Sequence, residues 1–267
     1  MSRDADLDWG SVWMELRQRP GGTLRRLWVD KGRSGRTGLG YSEFCERYRR
    51  WEAEQVPLVR MDHTAGAVMY VTFLAGGLRL PRGGGARRDR VDVFIAMLGV
   101  SGLLYVAAAA GQTLDAWLNL HRSAIAFYGG VTRALVPGFG DPRPGQTCWR
   151  DDAIVAEYRD LAAAYGSRIM PLVAFGDGAR HAIQASVDLV RRWETFPVRE
   201  TPSTLDEISA HLALQAMAAN QAPIPGLGMS RRRIYEEIER PALLPLLTAV
   251  PDLDLSKRNF GKVGEYG

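Results

Sequence analysis

Apolar positions along the chain change their spacing near residue 67. Before it they recur every three to four residues, as on helices that bury one face. Trp9, Val12, Trp13 and Leu16 form such a face across residues 7–19, and the "RPGG" at 19–22 marks a turn. Thr23 is placed to cap a short helix holding Leu24, Leu27 and Trp28. The glycine-rich "GRSGRTGLG" predicts a loop. Ser42 is then the expected cap of "SEFCERYRRWEAE", with Phe44, Cys45, Tyr48 and Trp51 on one side and Arg47, Arg49 and Arg50 largely on the other.

From residue 67 the runs are shorter and rich in β-branched and aromatic residues, which reads as strands. Residues 68–74 form the first, and Gly76-Gly77 is expected to turn the chain into a second at 78–80. The loop "PRGGGARRDR" leads to strands over 91–100 and 103–109. A helix follows over 113–128, with Leu114, Trp117, Leu118, His121 and Ile125 as its inner stripe and Gly129-Gly130 as its stop. Next come a strand at 133–137, a helix at 151–165 ended by Gly166, a strand at 168–174 and a helix at 179–193. An antiparallel meander followed by alternating helices and strands predicts an α/β domain, a mixed sheet with flanking helices, compatible with the ribonuclease H-like plan.

Composition narrows this picture. The 267 residues are 46% hydrophobic and 24% charged, ordinary for a soluble globular chain with one full core and a small appendage. No run of 18 apolar residues occurs, and the least polar stretch, 93–111, is broken by Gly99, Ser101 and Gly102, so no membrane partner is expected. The acidic start "MSRDADLDWG" argues against a secretory signal. Cys45 and Cys148 suit a reducing compartment, and the expectation is a bacterial cytoplasmic protein, nucleoid-associated if it binds DNA. The four histidines, His63, His121, His181 and His211, show neither ligand spacing nor a nucleophile–base pattern, and no catalytic or metal role is assigned to them. The net charge of +4 permits a polyanionic partner without requiring one.

Helix, turn, helix and a basic third helix is the plan of many DNA readers. Spacing alone leaves this level with a helical appendage whose basic face is solvated. In "PRGGGARR", Arg82, Arg87 and Arg88 could touch phosphates, yet the segment lacks the lysine and spacing of a P-loop, and a flexible hairpin loop is the preferred reading. The segment "SRRRIYEEIER" at 230–240 reads as an ordinary solvated helix.

Taken in order, "GYSEFCERYRRW", "LVRMDHTAGAVMYV", "AFYGGVTRALVP", "LAAAYG", "VDLVRRW" and "MSRRRIYEEIERPALLPL" resemble the IstA-like transposases of two-gene insertion sequences, within the DDE transposase and retroviral-integrase superfamily. The likeness runs from about residue 10 to about residue 247. It implies a ribonuclease H-like integrase core at 57–196, a helix-turn-helix module at 1–56 and a helical C-terminal extension at 197–267. It also implies double-stranded DNA as a partner, bound weakly or without sequence preference through Arg25, Arg26, Arg47, Arg49 and Arg50. An IstB-like AAA+ ATPase helper and self-association on DNA belong to the same implication. Set against the family, the sequence starts after the place of a first helix-turn-helix module and leaves the pattern beyond Leu247, so a copy shortened at both ends is expected.

DDE enzymes use two magnesium ions about 3.5–4 Å apart for in-line phosphoryl transfer, held by three carboxylates. Carried over one position at a time, the family's first Asp falls on Thr72, its second on Gly138 and its Glu on Gln184. A hydroxyl, a hydrogen and a neutral amide stand where three negative charges are expected, so no metal and no cofactor are expected here. Asp141, Asp177 and Asp188 lie near the second and third positions and read as solvated acids. Nothing replaces the first ligand: Asp62 is up to about 33 Å upstream along an extended chain, and Asp92 belongs to another strand. The expectation is a transposase-family protein of DNA integration and transposition without catalytic activity, retaining at most DNA binding. The alternatives are a fold remnant, an interaction protein acting on an intact transposase, or an active enzyme with a displaced metal site.

Overall fold

The computed structural model describes residues 7–18, 22–33, 38–56, 58, 63–79, 90–109, 111–138, 152–193 and 204–246. Five strands form its central sheet: β1 (Val68–Arg79), β2 (Arg90–Leu98), β3 (Leu104–Ala109), β4 (Ala134–Gly138) and β5 (Arg168–Ile169), in the order β3-β2-β1-β4-β5. The first three make an antiparallel meander, and β4 and β5 extend it in parallel beyond β1. An antiparallel meander continued by parallel strands from its central first strand is the ribonuclease H-like arrangement, as the sequence predicts.

Alternation along β1 divides the core. Val68, Tyr70 and Leu74 enter one buried cluster and Met69 and Val71 the other. The first cluster takes in helices α1 (Trp9–Gln18), α2 (Leu24–Arg33), α3 (Tyr41–Ala53), α6 (Gly176–Arg191) and α7 (Leu205–Gln221). The second lies under α4 (Leu114–Tyr128) and α5 (Asp152–Ala164). Helix α4 keeps its expected ends: the Thr113 side chain accepts from the Ala116 N–H, and Gly129 closes it at φ 64°, where glycine is favoured.

Four local expectations are corrected. Gly76 and Gly77 do not turn the chain; β1 runs through them, with a register irregularity between Leu74 and Leu78. The strand expected at 168–174 ends after Ile169, because Pro171 has no N–H for a ladder and instead starts a 3-10 turn, Leu172–Phe175. The cap of α3 is Gly40, without a side-chain bond, and Ser42 is an exposed residue of the first turn. The segment 230–240 is not a solvated helix: α8 (Arg231–Ile234) continues into a π-helical turn, Tyr235–Glu239, that buries Ile234, Tyr235, Ile238 and Glu239.

That turn ties the C-terminal part to the sheet. The Glu239 carboxylate accepts from the Val100 N–H at 3.1 Å and the Ser101 N–H at 2.7 Å, in the β2–β3 connection. Full burial raises its pKa, and those bonds to Ser101 and Val100 oppose the rise. Helix α7 lies along β3, where the Asn220 carboxamide both accepts from the Leu104 N–H (2.9 Å) and donates to the Leu104 carbonyl (2.8 Å). Ser209 accepts from the Ala108 N–H at 3.1 Å. An edge strand whose outward groups are taken by a helix is protected from pairing with another chain.

Candidate catalytic centre and nucleic-acid interface

Thr72 stands in the middle of β1, in register with Ile95 of β2 and Gly138 of β4. The topology therefore brings two of the three sequence-predicted positions side by side. Thr72 is 7% exposed, and its hydroxyl donates to the Gly138 carbonyl at 2.6 Å. The third element, α6, covers the pair, but it does so with Ile183. A Cβ placed on Gly138 would lie 3.2 Å from Ile183 Cδ1. Gln184, one residue on and so rotated by about 100° around the helix, is exposed and donates to Asp188 Oδ1 at 2.9 Å. The residue of α6 that meets Gly138 is thus Ile183, while Gln184 lies on the adjoining exposed face.

The cavity between Thr72, Ile183, Ser186 and the β2 side chains Ile95 and Met97 has a volume of about 10 Å³. That is at the lower limit for a single water. Its wall offers the Thr72 and Ser186 hydroxyls, both already donating, the Met97 thioether and hydrocarbon, with no carboxylate among them. Hard divalent cations require anionic oxygens, so these residues do not fit a magnesium pair. Among the described residues no group of three His, Cys, Asp or Glu side chains is placed to hold a metal. Asp177 is exposed and lies 3.8 Å from Arg180, while Asp188 is paired with Arg191 at 3.2 Å. Asp92 sits on β2 opposite Ala109 of β3. Asp62, Asp141, Cys148 and the loop bearing Arg82, Arg87 and Arg88 lie outside the described residues.

Two histidines bond to tyrosine hydroxyls, His121 fully buried and His63 half-buried. The His121 Nδ1–H donates to the Trp117 carbonyl at 2.7 Å, which leaves Nε2 to accept from the Tyr158 hydroxyl at 2.9 Å. Complete burial pushes its pKa down to about 3, against the opposing bond to Trp117. His63 Nε2 lies 2.6 Å from the Tyr70 hydroxyl, with Phe175 edge-on to both rings. Burial raises the Tyr70 phenol well above its ordinary range, so it does not ionise near neutrality.

The helical module packs around Val12, Trp13, Leu27, Phe44 and Tyr48. Arg17 is buried within it, stacked on Trp13 at 4.4 Å and 3.5 Å from the Glu52 carboxylate. The module also leans on the core, where the Ala65 N–H donates to the Arg17 carbonyl at 3.1 Å. The five candidate arginines fall into two sets. Arg47 pairs with Glu43 at 2.8 Å and Arg50 with Glu46 at 2.9 Å, both along α3. Arg25, Arg26 and Arg49 are exposed, near an exposed tyrosine, Tyr41, that spacing arguments left out. A second feature not found from sequence is a cavity of about 630 Å³ between β3, α4 and α7, lined by Tyr105, Phe127 and Met217 among others. No helix among the described residues is long and apolar enough to cross a membrane.

No protein-family model matches the chain. It is similar to the putative transposase y4bL/y4kJ/y4tB of Sinorhizobium fredii, 30% identical over 245 residues, which are 91% of this chain and 47% of the relative. It is also similar to the putative transposase for insertion sequence IS408 of Burkholderia multivorans, 25% identical over 92% of this chain and 48% of that one. The chain thus spans about half the length of the curated relatives it matches. Among solved structures, the catalytic core of BIV integrase aligns over 64% of this chain and 95% of its own, with TM-score 0.45 and 14% identity. A chain of the simian T-cell lymphotropic virus intasome aligns over 85% and 78%, with TM-score 0.48 and 11% identity.

Proposed function

We propose that this chain, a relative of the putative transposases of insertion sequences, carries a transposase-type core whose phosphoryl-transfer centre is closed, and that it binds duplex DNA weakly without catalysing its cleavage or joining. The observation that carries the first half is the hydrogen bond from Thr72 to the Gly138 carbonyl beneath Ile183. The two sheet positions where the resemblance puts carboxylates are bonded to each other and covered by hydrocarbon. In-line phosphoryl transfer depends on charge placed around the reacting phosphate, and none of these three groups supplies it. The second half is supported by a basic helical module that packs into the same buried cluster as the sheet and presents Arg25, Arg26 and Arg49 to solvent.

The test has two arms on the same preparation. Labelled duplexes incubated with millimolar magnesium or manganese should show neither nicking nor joined products, while anisotropy at low salt should register binding that weakens steeply as salt rises. Metal-dependent strand transfer would overturn the closed-centre reading. Absence of binding at low salt would leave a fold remnant.

A further inference from the structure

We infer that, on the DNA-binding reading just given, the surface meeting the sugar-phosphate backbone is the seam between α2 and α3, centred on Tyr41 and flanked by Arg25 and Arg49, and that the Arg47 and Arg50 stripe of α3 lies outside it. The stripe is internally neutralised. Arg47 and Arg50 each reach back one turn to Glu43 and Glu46, at 2.8 and 2.9 Å. A phosphate approaching them meets two carboxylates as well as two guanidinium groups, and their repulsion offsets much of the attraction.

The seam is built differently. Among the described residues neither Arg25 nor Arg49 takes part in an ion pair, and both are exposed, as is Arg26 beside them. Tyr41 is 40% exposed yet held in place, its ring packed edge-on to Trp28 with centroids 5.6 Å apart. Trp28 is itself pinned, its indole N–H donating to the Leu39 carbonyl at 2.8 Å. Arg49 follows Tyr41 by about two turns along α3, and both it and Arg25 on α2 lie within electrostatic reach of the Tyr41 phenol. Two exposed cations on different helices, neither ion-paired among the described residues, thus lie near an aromatic ring held against Trp28. Arginine and tyrosine are among the side chains that contact phosphate oxygens.

Fluorescence anisotropy of a short labelled duplex, titrated across a range of potassium chloride concentrations, decides between the two faces. The parent would be compared with R25A/R49A, R47A/R50A and Tyr41→Phe, each checked by a circular-dichroism melt matching the parent's. Each lost phosphate contact lowers the slope of log K against log salt by about one unit. R25A/R49A is therefore expected to lose about two units, and R47A/R50A to keep the parent slope. Tyr41→Phe should weaken binding about tenfold, the loss of one bond to a charged group, without altering the slope. A slope that falls in R47A/R50A and not in R25A/R49A, or falls equally in both, overturns the assignment. If the parent itself fails to bind at about 50 mM salt, the DNA-binding reading is what fails, and the seam with it.

Discussion

Replacing Thr72 by aspartate restores the first carboxylate that the resemblance implies, and the surroundings of Thr72 make that restoration costly. The hydroxyl gives its proton to the Gly138 carbonyl at 2.6 Å. An ionised carboxyl has no proton to give and sets a charged oxygen against that carbonyl. The lost bond costs about 1 kcal/mol. The position is 7% exposed, and none of the residues lining the adjoining cavity is a cation. Such burial would raise the new carboxyl from its ordinary ~4 to about 6, which destabilises the fold by ~2.7 kcal/mol at pH 8. The expected loss is therefore about 3–4 kcal/mol in all. The sign follows from linkage: the folded pKa exceeds the unfolded one, so the ionisation penalty is full above the folded value and fades as pH falls. At pH 5 it should be about half its value at pH 8, and the protonated carboxyl can again donate to Gly138. Urea unfolding of the parent and Thr72→Asp at both pH values measures this, with Thr72→Asn as the uncharged control. If Thr72→Asp lies within about 0.5 kcal/mol of the parent at pH 8, or millimolar manganese recovers its stability, the centre is open and the closed reading is wrong.

Other outcomes follow from the same geometry. Because His121 is held neutral with its pKa pushed down to about 3, its contribution is present above its unfolded pKa of ~6.5 and is lost as pH falls below that, by about 1.4 kcal/mol per pH unit; His121→Gln should flatten that limb in urea titrations between pH 7 and pH 5. Gly66 adopts φ +68°, and a Cβ there would fall 2.2 Å from the Ala242 carbonyl oxygen, so Gly66→Ala should lower the melting temperature by well over the ~4 °C that about 1 kcal/mol produces in a chain of this size. Asn220→Ala strips two buried bonds from the edge strand and should cost about 2–4 kcal/mol in unfolding free energy, with faster hydrogen exchange at Leu104. Millimolar magnesium or manganese should leave the parent's melting temperature unchanged, since stabilisation by mass action needs a site in the native state.

Much of this was legible in the sequence wherever a local signal and the global fold agreed. The meander, the inner stripe of α4 with its Thr113 cap and Gly129 stop, and the adjacency of Thr72 and Gly138 all follow from periodicity, cap chemistry and aligned motifs. The misses occur where tertiary contacts override local preference. Gly76-Gly77 carries a turn signature, yet pairing with β2 resumes beyond it, and the strand continues. The 230–240 segment has a charged, amphipathic look, but Glu239 is drawn into the core by two backbone donors that no helical pattern announces. That Ile183 is the α6 residue packed against Thr72 and Gly138 is not legible in the sequence, because the inward face of α6 is set by how the helix sits on the sheet. The arginines look equal in sequence, yet the ion pairs of Arg47 and Arg50 along α3 set those two apart.

The closure of the centre also bears on how it could be reopened. Three carboxylates gathered at one sheet edge repel one another unless a cation intervenes: at about 4 Å two like charges cost ~4 kcal/mol under the screening typical near a protein surface. A core built that way depends on metal for part of its stability. In this chain the hydroxyl and the carbonyl satisfy each other, and the missing side chain at Gly138 leaves the space that Ile183 fills, so that a Cβ there would crowd Ile183 Cδ1 at 3.2 Å. Thr72 on β1, Gly138 on β4 and Ile183 on α6 come from segments that meet only in the folded protein, and they pack against one another. Restoring an acid at Thr72 alone meets the Gly138 carbonyl, restoring one at Gly138 alone pushes on Ile183, and restoring one at Gln184 alone places it in solvent beside Asp188. On the proposed reading, a working metal pair would require the first two changes together with an acid on α6. Any smaller set is expected to lose stability without gaining metal-dependent activity on DNA.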